Sequence, residues 1–167
     1  MDRRTLLAFT AAGRRLALPL EDLQRVVPLP LLQAPIGSPP FVEGFFDFGG
    51  TPVAAVRVDR LLSLGEERLG VYSPLLLLKD ADPALALHVT SVTSILKTTA
   101  TDIQPIGPDE TFNACVIGRL SNRGETVYVL SAENILLAEE RSRIASLRAM
   151  KKRRIEALAS DDADPIQ

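Results

Sequence analysis

The feature that most constrains this chain is a pair of glycines set between two apolar runs. Phe41 to Phe48 is followed by Gly49-Gly50, and Val53 to Val58 returns on the other side. Two glycines in that place accept positive φ without steric cost, as a tight hairpin requires. Pro52 sits just past the turn, where a missing N–H does least harm to a strand ladder. Ser38-Pro39-Pro40 leads in as a stiff segment, and Asp59-Arg60-Leu61-Leu62 leads out as a short helical turn. The stretch Gly37 to Leu64 therefore reads as strand, turn, strand, helical turn.

The rest of the chain repeats this rhythm. Thr5 to Ala11 alternates, Ala12-Gly13 turns, and Arg14 to Leu20 returns. Glu21 to Val27 reads as a short helical turn or an irregular edge strand, and Pro28, Pro30 and Pro35 keep the next segment extended. Leu75 to Leu78 is too short for a helix and ends in Lys79-Asp80-Ala81-Asp82-Pro83, a turn. Ala84 to Val89, Ser91 to Thr98, Phe112 to Leu120 and Glu125 to Leu130 supply further strands, with Ser121-Asn122-Arg123-Gly124 as the last turn. About ten short strands punctuated by Gly, Pro, Asn and Asp imply an all-β barrel or sandwich. From Ser131 the period becomes helical through about Ala159, with Ser131 offered as N-cap and a length of about 40 Å. Residues 160–167, which include Asp161, Asp162 and Asp164, read as a disordered acidic tail.

Composition narrows the function classes. The net charge of −2 gives no overall drive toward nucleic acid or anionic membrane. Two tyrosines and no tryptophan offer no base-stacking surface. A single cysteine excludes an intrachain disulfide and a paired-cysteine zinc site. No apolar run approaches the roughly 20 residues that span a bilayer, and Arg14-Arg15 interrupts any secretory leader. The expectation is a reduced, cytoplasmic protein without cofactor, metal or membrane insertion.

Catalysis needs converging nucleophiles, bases or carboxylates. The single histidine, His88, lies in an apolar strand and reads as structural, and Cys115 lies between Ala114 and Val116 as a small core residue. Gly49-Gly50 lacks the Lys-Ser/Thr of a phosphate loop. No catalytic residue is assigned. Lys151-Lys152-Arg153-Arg154 reads as a solvated helix face first, and as a contact for an acidic partner second.

The order Gly37-Ser38-Pro39-Pro40-Phe41-Val42, then Gly44, then Gly50, resembles the core signature of the CheW-like domain, the coupling module of bacterial chemotaxis. Thr101-Asp102-Ile103-Gln104-Pro105-Ile106 resembles the family's acid-Ile-x-Pro connector, and the resemblance covers roughly Thr5 to Leu137. It implies two SH3-like five-stranded β-barrel lobes, expected over roughly 15–72 and 73–130 plus the N-terminal strand, with the long helix over 131–159. It implies a non-catalytic adaptor that couples chemoreceptors to a histidine kinase. Its protein-binding positions map to Val26, Val27, Gly44, Phe48, Gly50, Val56 and Val89, with Asp102-Ile103 in the connector. Gly49 and Gly50 are read as structural turn residues, and the valines equally as core or as contact. Self-association through the C-terminal helix is a further expectation.

The chain departs from the family at polar positions. Arg25 stands where a Glu is usual before the paired valines, Gly49 where an Arg is usual, Arg57 for an Asp ending the next strand, and Ser131 for an Asp before the helix. Charge reversal at an interface rejects an old partner as much as it invites a new one. The alternatives are a divergent scaffold in a chemosensory-like pathway for surface behaviour or gene regulation, and a small enzyme using the groove between lobes, which the shortage of catalytic groups disfavours.

Overall fold

Ala12 and Gly13 both take positive φ, 49° and 74°, and turn strand β1 (Arg3–Ala11) back into β2 (Arg14–Pro19). The computed structural model describes residues 3–65, 68–107, 115–137, 140–150 and 153. A single turn of 3-10 helix, Leu20–Asp22, follows β2 and leads into β3 (Leu23–Val27). The expected hairpin is present as β4 (Val42–Phe48) and β5 (Thr51–Arg57), paired up to Phe48↔Thr51. Gly49 and Gly50 have φ of 59° and 86°, the double positive φ of a two-residue turn that matches strand twist. Helix α1 (Val58–Leu61) continues directly from β5. Then come β6 (Leu75–Leu78), β7 (Leu85–His88), β8 (Ser91–Thr99), β9 (Gln104–Pro105), β10 (Val116–Asn122) and β11 (Glu125–Leu130).

These strands form two sheets. One has six strands in the order β8-β1-β2-β11-β10-β9, and the other has five in the order β3-β6-β7-β5-β4. The sheets do not divide the chain at 72/73. Strands β6 and β7 join the five-stranded sheet, while β1 and β2 pair with C-terminal strands, β2 running parallel to β11. The expected five strands per lobe hold for one sheet only. In the other, Gln104–Pro105 adds a short sixth strand against Gly118 and Arg119.

Alternation along the strands sorts side chains into three apolar layers. Val53, Ala55, Leu75, Leu77 and Ala86 lie on one face of the five-stranded sheet with Phe46. Ala54, Val56, Leu76, Leu78, Leu85 and Leu87 lie on its other face and meet Leu7, Phe9, Leu16 and Leu18 of the six-stranded sheet. Leu6, Ala17, Leu120, Val127 and Val129 fill the far face of that sheet. The Leu75–Leu78 run is buried at every position because both faces of its strand are covered.

The sheets curl. Arg25 of β3 lies 5.6 Å over the Phe48 ring of β4, although these are the two outer strands of their sheet. Leu96 of β8 and Ile103, just before β9, pack on the same core from opposite ends of the six-stranded sheet.

The long helix expected from Ser131 is corrected. The Ser131 hydroxyl accepts from the Asn134 N–H at 3.2 Å, a local turn that competes with helix at this point. Helical residues described are 140–150 (α2) and 153. The Glu140 carboxylate accepts from the Leu137 N–H at 2.8 Å, one half of a capping box. Ile135, Leu136 and Ile144 are buried in the core between the sheets, with Leu147 packed against it. Of the strand expected from Phe112 to Leu120, residues 112–114 lie outside the described residues, as do 151, 152 and 154–159 of the expected helix and the tail 160–167.

Candidate functional site

Each position singled out in the sequence now has a place. Val56 and Val89 are 0% and 1% exposed and belong to the core between the sheets, so neither offers surface to a partner. Val27 is half-buried against the inner face of the five-stranded sheet. Val26 is 45% exposed and points the other way, as strand alternation requires. Gly44 is buried, and a Cβ there would lie 3.0 Å from Leu32 Cβ and 3.1 Å from the Gln33 carbonyl. That approach seats the proline-rich loop on β4 through hydrogen bonds between Gln33 and Phe45 of 3.0 and 2.8 Å. Gly49 and Gly50 are exposed at the hairpin tip with open space around them. Asp102 is exposed and accepts from the Thr99 hydroxyl at 2.8 Å.

The structure therefore brings together Arg25, Val27, Phe48 and the Gly49-Gly50 turn at one rim of the five-stranded sheet. The guanidinium over the Phe48 ring is a cation–π contact, worth about 0.5–1 kcal/mol at an exposed site. It ties β3 to the hairpin and presents a cation beside an aromatic.

At the opposite end of the same strands lies a buried polar cluster that sequence reasoning missed. His88 is 2% exposed, with Nδ1 at 2.7 Å from Glu43 Oε2 and Nε2 at 3.1 Å from the Ser73 carbonyl. Both partners offer oxygen atoms to the ring nitrogens. Glu43 Oε1 is 3.8 Å from Arg57 Nε, and Arg57 donates to Asp59 through Nε at 3.0 Å and Nη2 at 2.5 Å. Asp59 also accepts from the Arg60 N–H at 2.9 Å. The result is a chain of hydrogen bonds and ion pairs linking β7, β4, β5 and α1. Its use is structural, because each group is spent on its neighbours.

Between the sheets, an apolar cleft of about 500 Å³ is lined by Leu16, Leu61, Leu64, Tyr128 and Leu130, with Arg14 and Cys115 at its wall. Burial pushes the Cys115 thiol up from its ordinary 9.0, which keeps it protonated and a poor nucleophile. Among the described residues no cluster of three or more His, Cys, Asp or Glu side chains is placed to hold a metal. No described helix is long and apolar enough to cross a membrane.

The structure defines a two-sheet β module whose histidine and cysteine are both buried. A family model places it further. Residues 5–140 match the CheW-like domain, and the chain belongs to that family of chemotaxis scaffold and adaptor proteins. Among solved structures it is similar to the scaffolding protein TtCheW from Thermoanaerobacter tengcongensis, with a TM-score of 0.75 at 16% identity. The match covers 84% of this chain and 92% of that one, a likeness of fold. No curated protein matches the chain by sequence.

Proposed function

We propose that this protein is a non-catalytic adaptor that couples chemoreceptors to a chemotaxis-type histidine kinase in the cytoplasm. The observation that carries the proposal is the CheW-like match over residues 5–140 on a two-sheet fold. Each curled sheet is read as an SH3-like barrel, supported by the contact of Arg25 with Phe48 across the outer strands. The partner-facing positions are Val26, Phe48 and the Gly49-Gly50 turn.

The departures from the family are not equivalent. Arg57 is 8% exposed and bound to Asp59, so its replacement of a family Asp is absorbed inside the molecule. Ser131 serves a local turn. Arg25 alone is an exposed charge reversal seated beside an aromatic at the rim. That observation favours a second reading, in which the module keeps its fold but serves a chemosensory-like pathway with a kinase whose matching surface is acidic.

Reconstitution tests the proposal. Receptor-bearing membranes and a kinase from the same genome are combined with and without this protein, and kinase autophosphorylation is followed. Stimulation that depends on the added protein supports the adaptor. No change with any kinase encoded in that genome sinks it. Stimulation restricted to a kinase outside the motility system, and lost in Arg25→Glu, supports the second reading.

A further inference from the structure

Strand β8 is the least defended edge of the molecule. It runs nine residues, Ser91–Thr99, pairs with β1 on one side, and has no strand on its other side among the described residues. Edge strands are usually blunted by proline, by several charges or by shortness. This one has no proline, no acid and a single lysine, in a sequence of β-branched and hydroxyl residues, Ser-Val-Thr-Ser-Ile-Leu-Lys-Thr-Thr.

Its side chains are unusual as well. Ile95 stands opposite Leu7 and Val92 opposite Phe9, so both share the face that β1 buries between the sheets. Leu7 and Phe9 are covered, at 4% and 1% exposed, whereas Ile95 and Val92 are 56% and 36% exposed. The apolar face of β1 thus continues onto β8 without a cover.

The charge around this edge is mostly positive. Lys97 and Arg119 line a cleft of about 470 Å³ along one stretch of β8. Arg15 and Arg123 line a second, of about 300 Å³, that follows Thr93 to Leu96. Arg4 stands opposite Thr98 in the pairing register. Two acids stand among these cations: Asp102, which lines the first cleft and accepts from Thr99, and Glu125, which pairs with Arg15. Among the described residues Lys97 and Arg123 form no ion pair.

We propose that β8 is a docking edge for an extended acidic segment of a partner protein, which adds as a further strand. Its backbone would pair with the free edge of β8, alternate apolar side chains would cover Val92 and Ile95, and the intervening carboxylates, on the face of Ser94, Leu96 and Thr98, would meet Arg4, Arg119 and Arg123. This site lies on the six-stranded sheet, away from the Arg25–Phe48 rim, and does not depend on the adaptor proposal.

The test uses the full-length protein and a blocked peptide of alternating valine and glutamate as long as β8. Backbone amide shifts and hydrogen exchange are followed by NMR, beside a valine–lysine peptide of the same length. Binding of the acidic peptide is expected to protect amides within Ser91–Thr99 and to weaken at high salt. Arg123→Glu should weaken it by about tenfold, and Ile95→Ser should weaken it without changing the salt response. Equal binding of the basic peptide, protection outside β8, or an unchanged affinity in Arg123→Glu would overturn the proposal. So would protection of β8 in the peptide-free protein together with a dimeric mass, since a second copy would then be the occupant.

Discussion

Replacing Glu43 by alanine is expected to damage this fold far more than removing any surface carboxylate. Its Oε2 is the partner of His88 Nδ1 at 2.7 Å, and its Oε1 faces Arg57 Nε at 3.8 Å. The side chains of His88 and Glu43 are 2% and 18% exposed, so water does little to replace the lost contact. Leaving a buried hydrogen-bonding group without its partner costs about 1–3 kcal/mol. Arg57 is cushioned, since Asp59 still accepts from it, and His88 bears most of the loss. With a urea slope of about 2 kcal/mol/M, the midpoint should fall by about 0.5–1.5 M. The control is Glu125→Ala, which removes the Arg15 pair where both side chains are about half exposed, at 48% and 49%. Such pairs contribute about 0–1 kcal/mol, so that midpoint should barely move. In a double-mutant cycle, Glu43→Ala and His88→Ala should show a coupling energy of at least about 1 kcal/mol. If Glu43→Ala costs no more than Glu125→Ala, or if the two buried substitutions simply add, the cluster does not hold the strands together as argued.

Other substitutions probe separate parts of the account. Gly44→Ala should cost about 1–3 kcal/mol by forcing the Leu32-Gln33 segment off β4, whereas Gly50→Val has open space and should lose a similar amount through its φ of 86° alone; chemical denaturation of each checks this. Asp22 is held above its ordinary 3.8 by burial, then by Glu21 and Glu133, so its neutral form favours the fold. The stabilisation is full below 3.8 and is lost as pH rises through the folded value; Asp22→Asn should therefore be relatively more stable than the parent at neutral pH and lose that advantage in acid. Cys115, 6% exposed and with its thiol pushed up, should resist alkylation in the native protein and react rapidly once urea unfolds it. Ending the chain after Leu147 keeps Ile144 and Leu147 on the core and should leave the melting temperature nearly unchanged, while weakening self-association or partner capture in a salt-sensitive way; ending it after Leu137 removes the wholly buried Ile144 and should lower Tm.

The parts of the fold legible in the sequence are those set by neighbours along the chain. Gly49-Gly50 between apolar runs was enough to place a two-residue turn, because the requirement for positive φ is local. Likewise Ile135, Leu136, Ile144 and Leu147, spaced to share one packing face, do reach the core. What escaped was set by pairing between distant strands. Arg57 meets His88 only because β5 and β7 run parallel with those residues in register, and Glu43 joins them from the far side of β5. A lone histidine in an apolar run, with a carboxylate inside another, was the available signal; the register that joins them is not written in either segment. The lobe boundary escaped for the same reason, since the chain leaves the six-stranded sheet after β2 and returns to it only at β8. Val56 and Val89 show the limit of carrying positions over by resemblance, because the same valine reads equally as contact or core until burial is known.

The most direct test of the central claim is a calorimetric titration of the purified protein against the isolated regulatory domain of a chemotaxis-type histidine kinase from the same genome. The account predicts saturable binding that is lost in Val26→Glu, weakened in Arg25→Glu, and indifferent to Arg123→Glu. Absence of binding to every such domain the genome encodes, with the protein shown to be folded, would contradict it.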